Sequence, residues 1–192
     1  MSLVKMAQLT EGQPARLDVG ESLPCRVIGF NGPDVVLWLE TQPQEELEPG
    51  TAAYLLIESE DGRIQAVRGE VAVPSGDEVV LRLTDSIRLG QRRTFSRAPL
   101  ALPARVRPAG GGAEVSTVTR DLSAGGVCVA REGLGPVDGA LEVTIQVANH
   151  EVTATAVAVR VTPAELGLRF EQIELDDRML LASLALAYHR RR

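Results

Sequence analysis

Val152-Thr153-Ala154-Thr155-Ala156-Val157-Ala158-Val159 alternates β-branched side chains with alanines. Such alternation fits one strand of a pleated, half-buried sheet. The strand predicted here, Val152 to Val161, stands in a series of short apolar runs. The others are Leu100 to Arg107, Val115 to Thr119, Val127 to Ala130, Leu141 to Val147 and Gly167 to Phe170. Gly110-Gly111-Gly112 and the stretch from Gly133 to Gly139 punctuate the series. An earlier series precedes it. Leu23 to Phe30 and Val35 to Glu40 flank the turn cluster Asn31-Gly32-Pro33-Asp34 and read as a hairpin. Tyr54, Leu56 and Ile64 to Val73 continue that series, and Glu78 to Leu83 alternates apolar with polar residues. Turn signals at roughly ten-residue spacing point to a small sandwich or barrel.

One segment breaks the pattern. Asp176 and Asp177 supply carboxylates for a helix N-terminus, and Leu180, Leu181, Leu184 and Tyr188 follow at helical spacing. Arg190, Arg191 and Arg192 complement the helix dipole at the other end. The stripe is expected to pack over the open end or side of the second β unit.

The chain has 192 residues, 44% of them hydrophobic and 24% charged, which is a globular composition. Net charge splits along the chain. Residues 1–90 hold 7 basic and 15 acidic residues, and residues 91–192 hold 13 and 11. Pattern and charge together place a boundary near Gly90, giving domains at 1–90 and 91–192. The overall charge of −6 argues against general DNA binding. Two histidines and two cysteines, none close to another in sequence, give no metal-ligand spacing. Cys25 and Cys128 each sit in an apolar run and read as small buried hydrophobes. No apolar run reaches membrane-spanning length, so a cytoplasmic protein without membrane insertion is expected. With so few catalytic side chains and no cofactor motif, the chain is expected not to be an enzyme.

Lys5 is the only lysine, so nineteen of the twenty basic residues are arginine. Four of them fall within Arg88-Leu89-Gly90-Gln91-Arg92-Arg93-Thr94-Phe95-Ser96-Arg97. One reading is a solvated linker. The other is an anion clamp, because guanidinium forks pair with phosphate in two-pronged fashion, stack on flat rings and match the O6 and N7 acceptors of guanine. A second constellation is Asp121-Leu122-Ser123-Ala124-Gly125-Gly126. It reads as a tight turn between strands. Alternatively, Asp121 accepts from the N1–H and 2-amino edge of guanine, Ser123 donates, and Gly125 and Gly126 permit positive φ and close backbone approach.

The two constellations together resemble the PilZ domain, the bacterial receptor module for cyclic di-GMP. That family carries RxxxR in an N-terminal loop and [D/N]xSxxG some 20 to 30 residues later. Arg93-Thr94-Phe95-Ser96-Arg97 matches the first part, although Arg88 and Arg92 form a competing match. Asp121, Ser123 and Gly126 match the second, a pattern expected only about 0.04 times by chance in this composition. Gly167-Leu168-Arg169-Phe170 and the terminal helix resemble the family's closing strand and helix. Residues 1–90 resemble, without an anchoring motif, the N-terminal split barrel of flagellar-brake (YcgR-like) members.

The resemblance implies a mainly β chain of two small barrels, the second six-stranded with a C-terminal helix. It implies that Arg92, Arg93 and Arg97 hold the guanine and phosphates of cyclic di-GMP, while Asp121 and Ser123 read guanine beside Gly125 and Gly126. Arginine at position 92 resembles members that take an intercalated pair of ligands. Binding is then expected to reorient the domains and signal to a protein partner in motility, adhesion or secretion. Two alternatives are a ligand-independent scaffold and, for residues 1–90, a flavin-binding split barrel. Few aromatics and seven basic residues leave little there to hold a flavin.

Overall fold

A computed structural model describes residues 9–58, 64–87 and 97–190. These fall into two compact units, Met1–Phe95 and Ser96–Arg192. Mainly β structure, with two six-stranded closed barrels and one C-terminal helix, is the architecture.

The first barrel comprises β1 (Pro14–Asp18), β2 (Ser22–Asn31), β3 (Asp34–Leu39), β4 (Ala52–Glu58), β5 (Ile64–Ser75) and β6 (Glu78–Ile87). Their order around the barrel is β1-β2-β3-β6-β5-β4. The predicted hairpin forms with Asn31 opposite Asp34, and Gly32 supplies a φ of 63° at the turn. Alternation does the rest: Val35, Leu37 and Leu39 point into the core with Leu17, Val27, Leu55 and Leu81. The closing strand β1 was not predicted. It is five residues long with only two inward apolar side chains, Ala15 and Leu17, yet it pairs with both β2 and β4.

The second barrel comprises β7 (Pro103–Pro108), β8 (Val115–Ser123), β9 (Gly126–Ala130), β10 (Ala140–Val147), β11 (His150–Val161) and β12 (Glu165–Ile173). They run in the order β10-β11-β12-β9-β8-β7. Along β11, Val152, Ala154 and Ala156 are the buried set, facing Val143 and Ile145 of β10 in one core. Several expected boundaries move, among them the predicted Gly167–Phe170 strand, which runs from Glu165 to Ile173. The strand predicted from Leu100 begins at Pro103, and the one predicted to end at Thr119 continues to Ser123.

Helix α1 (Leu175–Arg190) opens with Asp176 and Asp177 in its first turn. Leu181 enters the barrel core, with Leu180 and Leu184 packed partly against it. The fully buried face is broader than the predicted stripe, because Met179, Ala182, Ala185 and Leu186 are buried too, whereas Tyr188 is half-buried. His150 Nε2 lies 2.6 Å from Asp177 Oδ1, joining the start of β11 to the first helical turn. Among the described residues, no helix is long and apolar enough to cross a membrane.

Both cysteines are free and buried. Cys25 belongs to the first core, and burial pushes its thiol from its ordinary 9.0 up to about 12. Cys128 is buried outside the second core cluster, on a wall described below. Between pH 9.0 and about 12 the unfolded chain ionises Cys25 while the folded chain keeps the proton, so stability falls as pH rises through that window. Urea unfolding at about pH 8 and about pH 10.5 should show the native protein losing roughly 2 kcal/mol more than Cys25→Ala. Equal losses in the two proteins would assign the alkaline sensitivity to other groups.

Candidate functional site

The DxSxxG residues sit where β8 turns into β9. In the register of this pair Asp121 faces Cys128, Leu122 faces Val127 and Ser123 faces Gly126, leaving Ala124 and Gly125 as a two-residue turn. Leu122 and Val127 belong to the core, so the alternate positions Asp121, Ser123, Gly126 and Cys128 face outward. A bulge between Thr119 and Asp121 sets this phase. One register step further, the strand would turn its carboxylate inward.

The turn is built from its own small residues. Ser123 Oγ donates to the Gly126 carbonyl at 3.3 Å and accepts from the Gly125 N–H at 3.4 Å. The Gly125 carbonyl accepts from the Phe170 N–H at 3.1 Å, tying the turn to β12. Gly126 is needed for space. A Cβ there would lie 2.3 Å from the Leu168 carbonyl oxygen and 3.2 Å from the Arg169 Cα. Positive φ, the other freedom expected of it, is not used at Gly126.

Arg97 reaches this wall from the opposite direction. Ala98 and Leu122 exchange backbone hydrogen bonds of 2.9 and 3.0 Å, so the segment carrying Arg97 runs antiparallel beside the end of β8. Thr119, fully buried, holds the same segment further along. Its hydroxyl accepts from the Leu102 N–H at 2.9 Å and donates to the Leu100 carbonyl, while its own N–H donates to the Leu102 carbonyl. His189 of α1 completes the support, with Nε2 2.7 Å from the Arg97 carbonyl oxygen. A carbonyl only accepts, so that nitrogen carries the hydrogen.

The outcome is an ion pair: Arg97 Nη1 lies 3.4 Å from Asp121 Oδ1, with the side chains 46% and 28% exposed. A pair so open to solvent contributes about 0–1 kcal/mol, so either member can exchange its partner at little cost. The fold therefore brings Arg97, Asp121, Ser123, Gly125 and Gly126 together on one wall. Arg92 and Arg93 lie outside the described residues, as do Arg88 and the competing match that it begins. Thr119 and His189 were not predicted. Each acts on backbone groups distant in sequence, and neither belongs to a local pattern.

Further along the same wall, Cys128 faces Gly167, which faces Arg160 of β11. Arg160 Nη2 is 3.3 Å from Cys128 Sγ and 3.1 Å from Glu165 Oε2. Burial raises the Cys128 thiol above its usual range and the Arg160 hydrogen bond partly offsets this, so the group stays protonated near neutral pH.

The profile of the PilZ domain matches residues 91–187. The chain belongs to the PilZ family. No curated protein matches it. Among solved structures similar to this PilZ chain, the Bacillus subtilis inhibitor of motility MotI/DgrA is 16% identical, covering 96% of this chain and 99% of its own, with a TM-score of 0.48. YcgR from Escherichia coli, in complex with c-di-GMP, is 15% identical over 94% of this chain and 85% of its own, with a TM-score of 0.41. PlzA of Borreliella burgdorferi, also in complex with c-di-GMP, is 12% identical over 93% and 88%, with a TM-score of 0.38.

Two substitutions probe the scaffold of this PilZ wall. Gly126→Ala forces β9 from the Leu168 carbonyl and is expected to cost about 1–3 kcal/mol in urea unfolding. Thr119→Val keeps the volume but leaves the Leu100 and Leu102 backbone groups without their partner, at about 1–3 kcal/mol. Wild-type stability in both would show that the wall relaxes freely and does not hold the site in place.

Proposed function

We propose that this PilZ protein is a cytoplasmic, non-enzymatic effector that binds cyclic di-GMP on the outer wall of its second barrel. The observation that carries the reading is the Arg97–Asp121 pair, formed between segments 24 residues apart and set beside Ser123 and Gly126. It offers one acceptor and one fork donor at the same exposed spot, which suits the donor edge of guanine and an adjoining phosphate.

In this reading Asp121 accepts from the N1–H and 2-amino group of guanine. Ser123 reads guanine with it, and Gly126, beside Gly125 of the turn, lets the chain pass beneath the base. Arg97 exchanges Asp121 for a phosphate oxygen or a guanine acceptor, which the weakness of the free pair allows. Arg93 supplies the second arm of the clamp. Arg92 stacks on a second guanine, so that an intercalated pair of ligands is taken. Because the arginine-rich stretch joins domains 1–90 and 91–192, engagement of its side chains changes how the split-barrel domain and the PilZ domain are related. The altered surface is then read by a protein partner. The free energy available for that step is limited to the ligand's differential affinity for the two arrangements.

Isothermal calorimetry of the full chain with cyclic di-GMP tests the reading and returns its stoichiometry. Saturable heat is expected with the native protein, near two ligands per chain. Arg97→Ala and Asp121→Ala should each weaken binding by about one to two orders of magnitude, the equivalent of about 1.5–3 kcal/mol per charge-assisted contact. Arg93→Ala should behave alike. Absence of heat at tens of micromolar ligand would leave a ligand-independent scaffold acting through protein contacts.

A further inference from the structure

One peptide bond, between Arg97 and Ala98, is held from both sides. Ala98 is fully buried and donates its N–H to the Leu122 carbonyl of β8 at 2.9 Å. The carbonyl of the same peptide belongs to Arg97, and it accepts from His189 Nε2 of α1 at 2.7 Å. In a planar trans peptide the N–H and C=O point to opposite sides, so this single unit spans from the barrel wall to the helix. Fixing its plane fixes the Cα from which the Arg97 side chain starts. That side chain has a loose hold of its own, since its pair with Asp121 is 3.4 Å long and open to solvent.

The helix is a firm mount for the imidazole. Leu181 is buried in the barrel core, and Asp177 Oδ1 meets His150 Nε2 at 2.6 Å, so α1 is fixed at its middle and at its first turn. In the last turn the Tyr188 ring stands beside His189, with centroids 5.6 Å apart and planes at 83°. This edge-to-face contact restricts rotation of the imidazole. Nε2 carries its hydrogen both in the neutral tautomer that the carbonyl requires and in the cation, so the bond persists in either charge state. A side chain on a rigid element that bonds the backbone beside a gripping residue sets the geometry of the grip without touching the ligand.

We propose, on the reading of the site given above, that His189 is a positioning residue for the ligand: through the Arg97 carbonyl it keeps the Arg97 guanidinium in place to grip cyclic di-GMP. Part of the ordering of that arginine is then complete before the ligand arrives, which lowers the cost of binding. The same bond makes ligand affinity depend on the seating of the last turn of α1, and by linkage the ligand steadies that turn. Whatever displaces the turn loosens the clamp, so the helix is a control point for the site.

Calorimetry of full-length variants with cyclic di-GMP separates the possibilities, with thermal melting as a check that each is folded. His189→Ala is expected to weaken binding about threefold to tenfold, as loss of one neutral hydrogen bond allows. His189→Gln, whose amide nitrogen can stand where Nε2 stands, should remain within about twofold of the native protein. His189→Asn, whose amide is too short to reach the carbonyl, should lose as much as His189→Ala. In an Arg97→Ala background, His189→Ala should add no further loss, because its effect runs through that arginine. Amide hydrogen exchange at Ala187, Tyr188 and His189 should slow on saturation with ligand in the native protein but not in His189→Ala. Native affinity in His189→Ala, alongside weakened binding in Arg97→Ala, would overturn the role of His189 and leave the site assignment standing. Equal loss in the Gln and Ala variants, or a full second loss in the double variant, would also overturn it. Exchange unchanged by ligand in the native protein would overturn the coupling to the helix. No heat from the native protein would reject the ligand, and this role with it.

Discussion

Strand β8 is longer than the strand beside it. Its pairing with β7 ends at Val118, opposite Pro103, and residues 119–123 continue past that point with their backbone groups still to be satisfied. Unpaired polar backbone in a buried setting is costly, so the overhang needs a partner. The chain just before β7 supplies it through Ala98, Leu100 and Leu102, with the Thr119 hydroxyl filling a gap in the ladder. Everything at the candidate site follows from that repair. It draws the Arg97 segment along the edge of β8, and the bulge after Thr119 turns Asp121 outward to meet it. The ion pair is a by-product of barrel completion and adds little to stability itself.

A weak pair is well suited to a binding site. Had Arg97 and Asp121 been buried together, releasing either to a ligand would have left an uncompensated charge costing several kcal/mol. Placed at the surface, both remain within reach of solvent and of each other, and their separation is cheap. Rigidity comes instead from other groups: the Ser123 turn, the tight passage of Gly126 beneath Leu168, and His189 on the Arg97 carbonyl. Position and charge are thus supplied by different residues.

Much of this was legible in the sequence because it rests on local regularities. Alternation located eleven of the twelve strands to within a few residues, and turn glycines such as Gly32 marked a real positive φ. The DxSxxG spacing placed Asp121, Ser123 and Gly126 at one turn, and Arg97 proved to be their neighbour. The misses have a common physical origin. Strand β1 carries too few apolar residues to register as a period, and its identity comes from closing a barrel between β2 and β4. Thr119, Arg160 and His189 act on groups 17, 32 and 92 residues away, which no local window contains. The predicted helical stripe was too narrow because Met179, Ala182 and Leu186 find cover that periodicity alone does not reveal.

Closure of both barrels has a consequence for how a partner can recognise this protein. In each ring every strand is hydrogen-bonded on both sides. Among the described residues, no strand is left with a free ladder onto which another chain could add, the route by which many peptides and most aggregates attach to β proteins. What each closed barrel offers to another molecule is side chains on a curved wall or at a rim, where backbone templating gives no help. The same closure protects these strand-rich barrels from polymerising through their own edges.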